Sequence, residues 1–94
     1  MDYHFEWDER KARANLAKHA VGFDEASSAF DDPLGRVLDD PRHSFGEQRE
    51  VLLALSNRTR LLVVMFNVRE RTLRLISARL ATRAERIRDE ETDP

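Results

Sequence analysis

Between Arg60 and Arg79 lie two apolar runs separated by a charged turn, a pattern that leaves few choices of fold. Six consecutive apolar residues, Leu61 to Phe66, come before Arg69-Glu70-Arg71. That run is too short to span a membrane, which takes about 20 apolar residues. Its branched side chains and the nearby turn favour a buried strand over a helical segment. In the second run, Thr72 to Ala78, strict alternation puts Leu73, Leu75 and Ser77 on one face and Arg74, Ile76 and Ala78 on the other. The two runs read as a β-hairpin at the centre of a sheet, with arginines at its turn and far end.

A chain of 94 residues makes one domain. Residues 1–90 are expected to form its body, and the acidic tail 91–94 is expected to fray. Roughly 60 to 70% of the unfolded surface is buried at this size, which is enough to fold without staples. The chain has no cysteine, which excludes disulfides, thiolate metal sites and a cysteine nucleophile. Its first residues, Met-Asp-Tyr-His-Phe-Glu, lack the basic-then-apolar pattern of a signal peptide, so a cytoplasmic protein is expected.

The net charge of −2 conceals an asymmetry. Residues 1–48 carry 6 Lys/Arg against 11 Asp/Glu, whereas residues 49–88 carry 10 Arg against 3 Glu. So basic a half points to a polyanion such as nucleic acid, or to an acidic protein partner. Arginine outnumbers lysine 14 to 2. Its planar fork suits phosphate, but the codon bias of a GC-rich genome accounts for the excess equally well.

Tyr3, Phe5 and Trp7 alternate with His4 and Glu6 as a short strand does. Asp8 caps a helix expected from Glu9 to His19, with Ala12, Leu16 and Ala20 as its inward stripe. Lys11, Asn15 and Lys18 line a neighbouring face of that helix. A second short helix is expected from Asp24 to Phe30, stopped by Pro33. Short strands follow at Gly35 to Leu38 and Arg49 to Leu55, joined by a loop rich in Pro, Gly and Asp. Ser56-Asn57-Arg58-Thr59 turns the chain into the central hairpin. Thr82 and Glu85 have the spacing of a capping box and start a last helix, which runs to about Glu90. The fold class is therefore α+β: a small antiparallel sheet with N-terminal helices and a C-terminal helix. Both faces of the central strands are apolar, so either the last helix or a partner covers the second face.

No histidine spacing reads as a metal site, and no phosphate loop or nucleophile elbow is present. His43 shares its loop with Ser44 and Glu47, which makes it either half of an acid–base pair or a solvent-exposed side chain. Arg79 stands where a buried strand meets a capped helix. Such a position holds a guanidinium rigidly, as an anion-binding group requires, and serves an ordinary ion pair equally well.

Several segments resemble the BrnT family of bacterial toxins. They are Phe5-Glu6-Trp7-Asp8, then Lys11, Asn15, Lys18-His19-x-Val21 and Phe23-x-Glu25-Ala26. Phe30-x-Asp32-Pro33, Asp40-Pro41-x-His43-Ser44-x-Gly46-Glu47-x-Arg49 and Arg74-Leu75-Ile76-Ser77-Ala78-Arg79 complete the match, which reaches from Phe5 to about Glu90. The resemblance implies a RelE-like fold and a ribonuclease that needs no metal or cofactor, cleaves RNA and inhibits translation. It also implies a BrnA-type antitoxin, a ribbon-helix-helix dimer through which alone the chain meets operator DNA. By the same resemblance Arg79, Glu47, His43 and Arg60 are catalytic candidates, and Arg74, Arg83, Lys11 and Lys18 are candidates for RNA binding. No membrane partner is expected.

The chain departs from that pattern at Leu55, where glycine is common, at Leu80, where a second arginine often follows, and at Asp89, near a usual tyrosine. These departures leave an alternative open: a weakened homologue that mainly binds its antitoxin and co-regulates its operon.

Overall fold

A computed structural model describes residues 3–39 and 49–92. The elements run β1 (His4–Glu6), α1 (Glu9–His19), α2 (Phe23–Ser28), a 3-10 turn (Ala29–Asp31), β2 (Arg36–Asp39), β3 (Glu50–Leu55), β4 (Leu61–Arg69), β5 (Thr72–Leu80) and α3 (Arg83–Thr92). The five strands form one sheet in the order β1-β5-β4-β3-β2. Strands β2 to β5 are antiparallel neighbours in chain order, while β1 pairs in parallel with β5 at the edge. The α+β expectation holds, with a mixed sheet: two helices separate β1 from the rest, so no hairpin dictates its direction. No described helix is long and apolar enough to cross a membrane.

Helices α1 and α2 cover the first face of the sheet. Val21, Phe23 and Ala26 pack there against Leu62, Val64, Leu73, Leu75 and Ala78. Phe30 bridges the layers through edge-on contacts with Phe5 at 5.4 Å and Phe66 at 5.0 Å. Edge-to-face geometry of this kind adds to simple burial. Asp8 caps α1, accepting from the Arg10 and Lys11 N–H groups, as its place before the helix predicts.

The inward face of α1 keeps only part of the expected stripe. Ala12 packs against the core, but Leu16 and Ala20 are exposed, and the fully inward position is Asn15, only 7% exposed. Its side chain donates to Val21 O at 2.9 Å and Ala78 O at 2.8 Å, and accepts from Ala78 N–H at 3.1 Å. The reason lies in the sheet. β1 pairs with β5 only as far as Arg74, and Asn15 takes up the backbone groups at Ala78 beyond that point. A buried peptide group without a partner would cost as much as a lost hydrogen bond.

Strict alternation along β5 fails as well. Met65 faces Ser77 but Phe66 faces Leu75, so Ile76 is an extra residue and β5 carries a bulge. The bulge returns Ala78 to the face of Leu73 and Leu75, where it is buried. It also puts Arg79 on the same face as Arg74, although the two are an odd number of residues apart.

Candidate anion-binding site on the second sheet face

The second face has a small apolar floor of Leu53, Val63 and Ala81, flanked by Val51 and Leu61. Cross-strand register runs Arg36↔Leu53, Leu53↔Val63 and Val63↔Arg79. Directly opposed residues share a face, so these four side chains form one row with an arginine at each end.

Arg79 is half-buried, its side chain 34% exposed. It grips Glu85 with both ends of its fork, Nη1 to Oε1 at 2.8 Å and Nη2 to Oε2 at 3.1 Å. Nη1 also donates to Leu80 O at 3.2 Å. Glu85 closes the capping box expected from its spacing: it accepts from Thr82 N–H at 2.7 Å, while its own N–H donates to Thr82 Oγ1 at 3.1 Å. The hydrogen bonds from Arg79, ahead of those from Thr82, pull the Glu85 carboxyl down from 4.5 to about 2. The same pairing raises the Arg79 pKa further. At the other end of the row, Arg36 Nε lies 3.7 Å from Asp89 Oδ1, and Nη2 donates to Asp89 O at 3.3 Å.

Arg60 sits on the opposite face, beside α2. Its Nε donates to Glu25 Oε2 at 2.9 Å, and Nη2 donates to Glu25 Oε1 and to Ala20 O, the latter at 3.1 Å. Glu25 is buried and also accepts from Ser56 Oγ at 2.7 Å. These contacts, led by the hydrogen bonds from Arg60, lower the Glu25 pKa. The structure does not bring Arg60 to Arg79. Their side chains leave opposite sides of the sheet, because Arg60 precedes Leu61 and Leu61 shares the face of Val63.

Among the remaining candidates, Arg74 shares the face of Arg79 and donates to Glu6 Oε1 at 3.1 Å. Arg83 is exposed at the first position of α3. Lys11 and Lys18 are exposed on α1, over the far face of the sheet. His43 and Glu47 lie outside the described residues. Among the described residues, no group of three His, Asp or Glu side chains is placed to hold a metal ion.

One member of the row, Arg36, and its partner Asp89 escaped the sequence reading. Arg36 looked like an ordinary strand residue, and only strand register aligns it with Arg79. Asp89 stood out solely as a departure, although its spacing of four from Glu85 places both carboxylates on one face of α3. Beside α3 runs an open groove of 490 Å³ lined by Leu55, Arg60, Leu61, Leu80, Ala81 and Asp89, among others, so Arg60 reaches its rim although its donors are turned to Glu25 and Ala20. Leu55, Leu80 and Asp89, the positions at which the resemblance is expected to break, all line this groove.

The geometry sets a guanidinium at each end of an apolar floor, each paired with a residue of α3, and a guanidinium fork is a group that can bind an oxyanion. Comparison with known proteins bears on which oxyanion. A family model described as the ribonuclease toxin BrnT of type II toxin–antitoxin systems matches residues 7–85. The crystal structure of the Brucella abortus ribonuclease toxin BrnT superposes with a TM-score of 0.66 at 23% sequence identity. The match covers 86% of this chain and 99% of that one, and it establishes a shared fold. No curated protein sequence matches.

Proposed function

Because the chain belongs to the BrnT family of ribonuclease toxins from type II toxin–antitoxin systems, we propose that it is a metal-independent endoribonuclease. It acts on cellular RNA in the cytoplasm and thereby inhibits translation. The family implies an antitoxin partner. We take that partner to be of the BrnA type, a ribbon-helix-helix dimer that carries the toxin to operator DNA.

In this reading a ribose 2′-hydroxyl gives up its proton and its oxygen attacks the adjacent phosphorus. The bond from phosphorus to the 5′-oxygen of the next nucleotide breaks, that oxygen takes a proton, and a 2′,3′-cyclic phosphate remains. Charge builds on the non-bridging oxygens, where a guanidinium fork already in place stabilises it without reorganising. Arg79 has this part. Glu47 and His43 are the proposed base and acid, since both steps move a proton at neutral pH. Arg74 and Arg83 extend the basic track for RNA. Lys11 and Lys18 contact RNA or antitoxin away from the reacting phosphate. To Arg60 we assign a structural part, because its donors are engaged by Glu25 and by Ala20.

One observation carries the proposal: Arg79 holds a carboxylate through two parallel hydrogen bonds on a half-buried strand end. A carboxylate presents two oxygens to a guanidinium much as a phosphodiester does. The same pair also supports the second reading, an antitoxin-binding co-regulator, because Glu85 already fills the fork. RNA integrity in cells expressing the chain alone, beside its Arg79→Ala variant, separates the two. Cleaved RNA and arrested growth with the native chain only are expected. Intact RNA with folded native protein overturns the ribonuclease reading in favour of the second.

A further inference from the structure

Helix α3 is tied to the sheet through side-chain ion pairs. Of its described side chains only Glu85 and Asp89 are not exposed, while its apolar residues Ala84 and Ile87 point to solvent. The side chains that α3 turns toward the sheet are therefore two carboxylates, each paired with an arginine. An amphipathic helix built to cover Leu53 and Val63 would turn apolar side chains toward them instead. The two carboxylates lie one turn apart, about 6 Å along the axis. Each is held by one of the two arginines that end the row Arg36–Leu53–Val63–Arg79.

We infer that Arg36 and Arg79 together form a phosphate-binding row for single-stranded RNA, and that Glu85 and Asp89 occupy it as an internal stand-in for the backbone. This rests on the ribonuclease reading for its ligand and adds Arg36 to the site. The row crosses four strands, so its two Cα atoms stand about 14 Å apart. Long side chains at both ends reach inward over the floor. A strand of RNA laid along the row sets one phosphate on each fork and a base face on Leu53 and Val63. Such apolar contact is tolerant of sequence because every base has a flat face. Binding requires α3 to lift. The apolar side chains of α3 itself, Ala84 and Ile87, are already exposed and do not resist this, so the burial at stake is that of the floor, which the bases then cover. RNA and α3 thus compete for the same two guanidinium groups, and neutralising the carboxylates favours RNA.

The test measures binding of a labelled single-stranded oligonucleotide with 2′-O-methyl riboses, which cannot be cleaved, to the full chain across a salt series. The variant Glu85→Gln/Asp89→Asn is expected to bind about tenfold tighter than native, as one tenfold step in affinity is within reach of a single charge-assisted contact. Glutamine keeps the capping box, and circular dichroism checks that the fold is retained. The control variant Glu90→Gln/Glu91→Gln makes the same change in net charge at exposed positions of the same helix. It is expected to bind within about twofold of native, since exposed charges are screened. Adding Arg36→Gln to the first variant should abolish its gain and lower the slope of log affinity against log salt by about 0.7.

Equal gains from both double variants, or no effect of Arg36→Gln, overturn the row. So does RNA cleavage by the native chain without any of these binding shifts, although the ribonuclease reading then stands. If the shifts occur while the native chain cleaves no RNA, the row stands and the ribonuclease reading falls.

Discussion

Asn15 and Ala78 are joined as two neighbouring strands would be, with the Asn15 amide donating to Ala78 O at 2.8 Å and accepting from Ala78 N–H at 3.1 Å. A helix side chain thereby continues the sheet past the end of β1 and fixes the residue next to Arg79. Truncation to alanine removes the partner of the Ala78 N–H and of the carbonyls of Val21 and Ala78, and an unsatisfied buried group costs about 1–3 kcal/mol. Asn15→Ala is therefore expected to destabilise the chain by about 2–4 kcal/mol in urea denaturation. Asn15→Asp should fare little better, because the carboxylate loses both donors and faces two carbonyl oxygens.

Glu25 and Arg60 make the corresponding statement on the first face. Glu25 is buried and answered by Arg60, Ser56 and, at 3.6 Å, Arg58. Removing the principal cation leaves a buried carboxylate without adequate compensation. Arg60→Ala is expected to lower the urea midpoint clearly, and Glu25→Gln together with Arg60→Ala to recover part of the loss. An Arg60→Ala variant of native stability but no toxicity would instead return Arg60 to the reacting site.

Acid should loosen α3. The Glu85 carboxyl lies at 4.5 when unpaired and at about 2 in the folded chain. A depressed pKa contributes stability that is complete above the unpaired value and disappears as pH falls through the folded one. Stability is thus expected to decline between about pH 4.5 and pH 2. Glu25, lowered chiefly by Arg60, adds to the same acid limb. In Arg79→Ala the limb should become shallower, because Glu85 then titrates nearer its ordinary value. Urea midpoints measured from pH 6 downward check both the sign and the difference.

Ala20 ends α1 in the left-handed region, at φ 58 and ψ 31. An L-residue pays about 1–2 kcal/mol there, and glycine does not. Ala20→Gly is expected to stabilise the chain by about 1 kcal/mol by thermal or urea denaturation. Ala20 is exposed and its carbonyl, which accepts from Arg60, is retained in the variant.

Much of the fold was legible because local chemistry decided it. Asp8 marked the start of α1, Thr82 and Glu85 marked the start of α3, and the apolar runs on either side of Arg69-Glu70-Arg71 marked the central hairpin. What escaped depended on pairing between distant segments. Ile76 is extra only relative to β4, so no alternation rule along β5 alone reveals the bulge that brings Arg74 and Arg79 to one face. Asn15 sits at a spacing that serves an exposed face equally well, and its burial follows from an open sheet edge sixty-odd residues later. Arg36 joins Arg79 only once four strands are in register. Arg79 stood out from its place between a strand and a capped helix, but its pairing with Glu85 and the row it ends appear only in the structure.

The sharpest prediction concerns the shape of the Arg79 side chain rather than its charge. A transition-state group of this kind is typically worth about 10²–10³ in rate. Arg79→Ala is expected to lose that much in RNA cleavage, with antitoxin affinity retained. Arg79→Lys preserves the charge but replaces a planar fork with a single ammonium, which cannot make two parallel hydrogen bonds to one oxyanion. If the fork matters, lysine should recover less than a tenth of the native rate while keeping most of the folded stability of alanine or better. Full recovery by lysine would mean that Arg79 acts only as a point charge, and that the geometry it shares with Glu85 belongs to the anchoring of α3 alone.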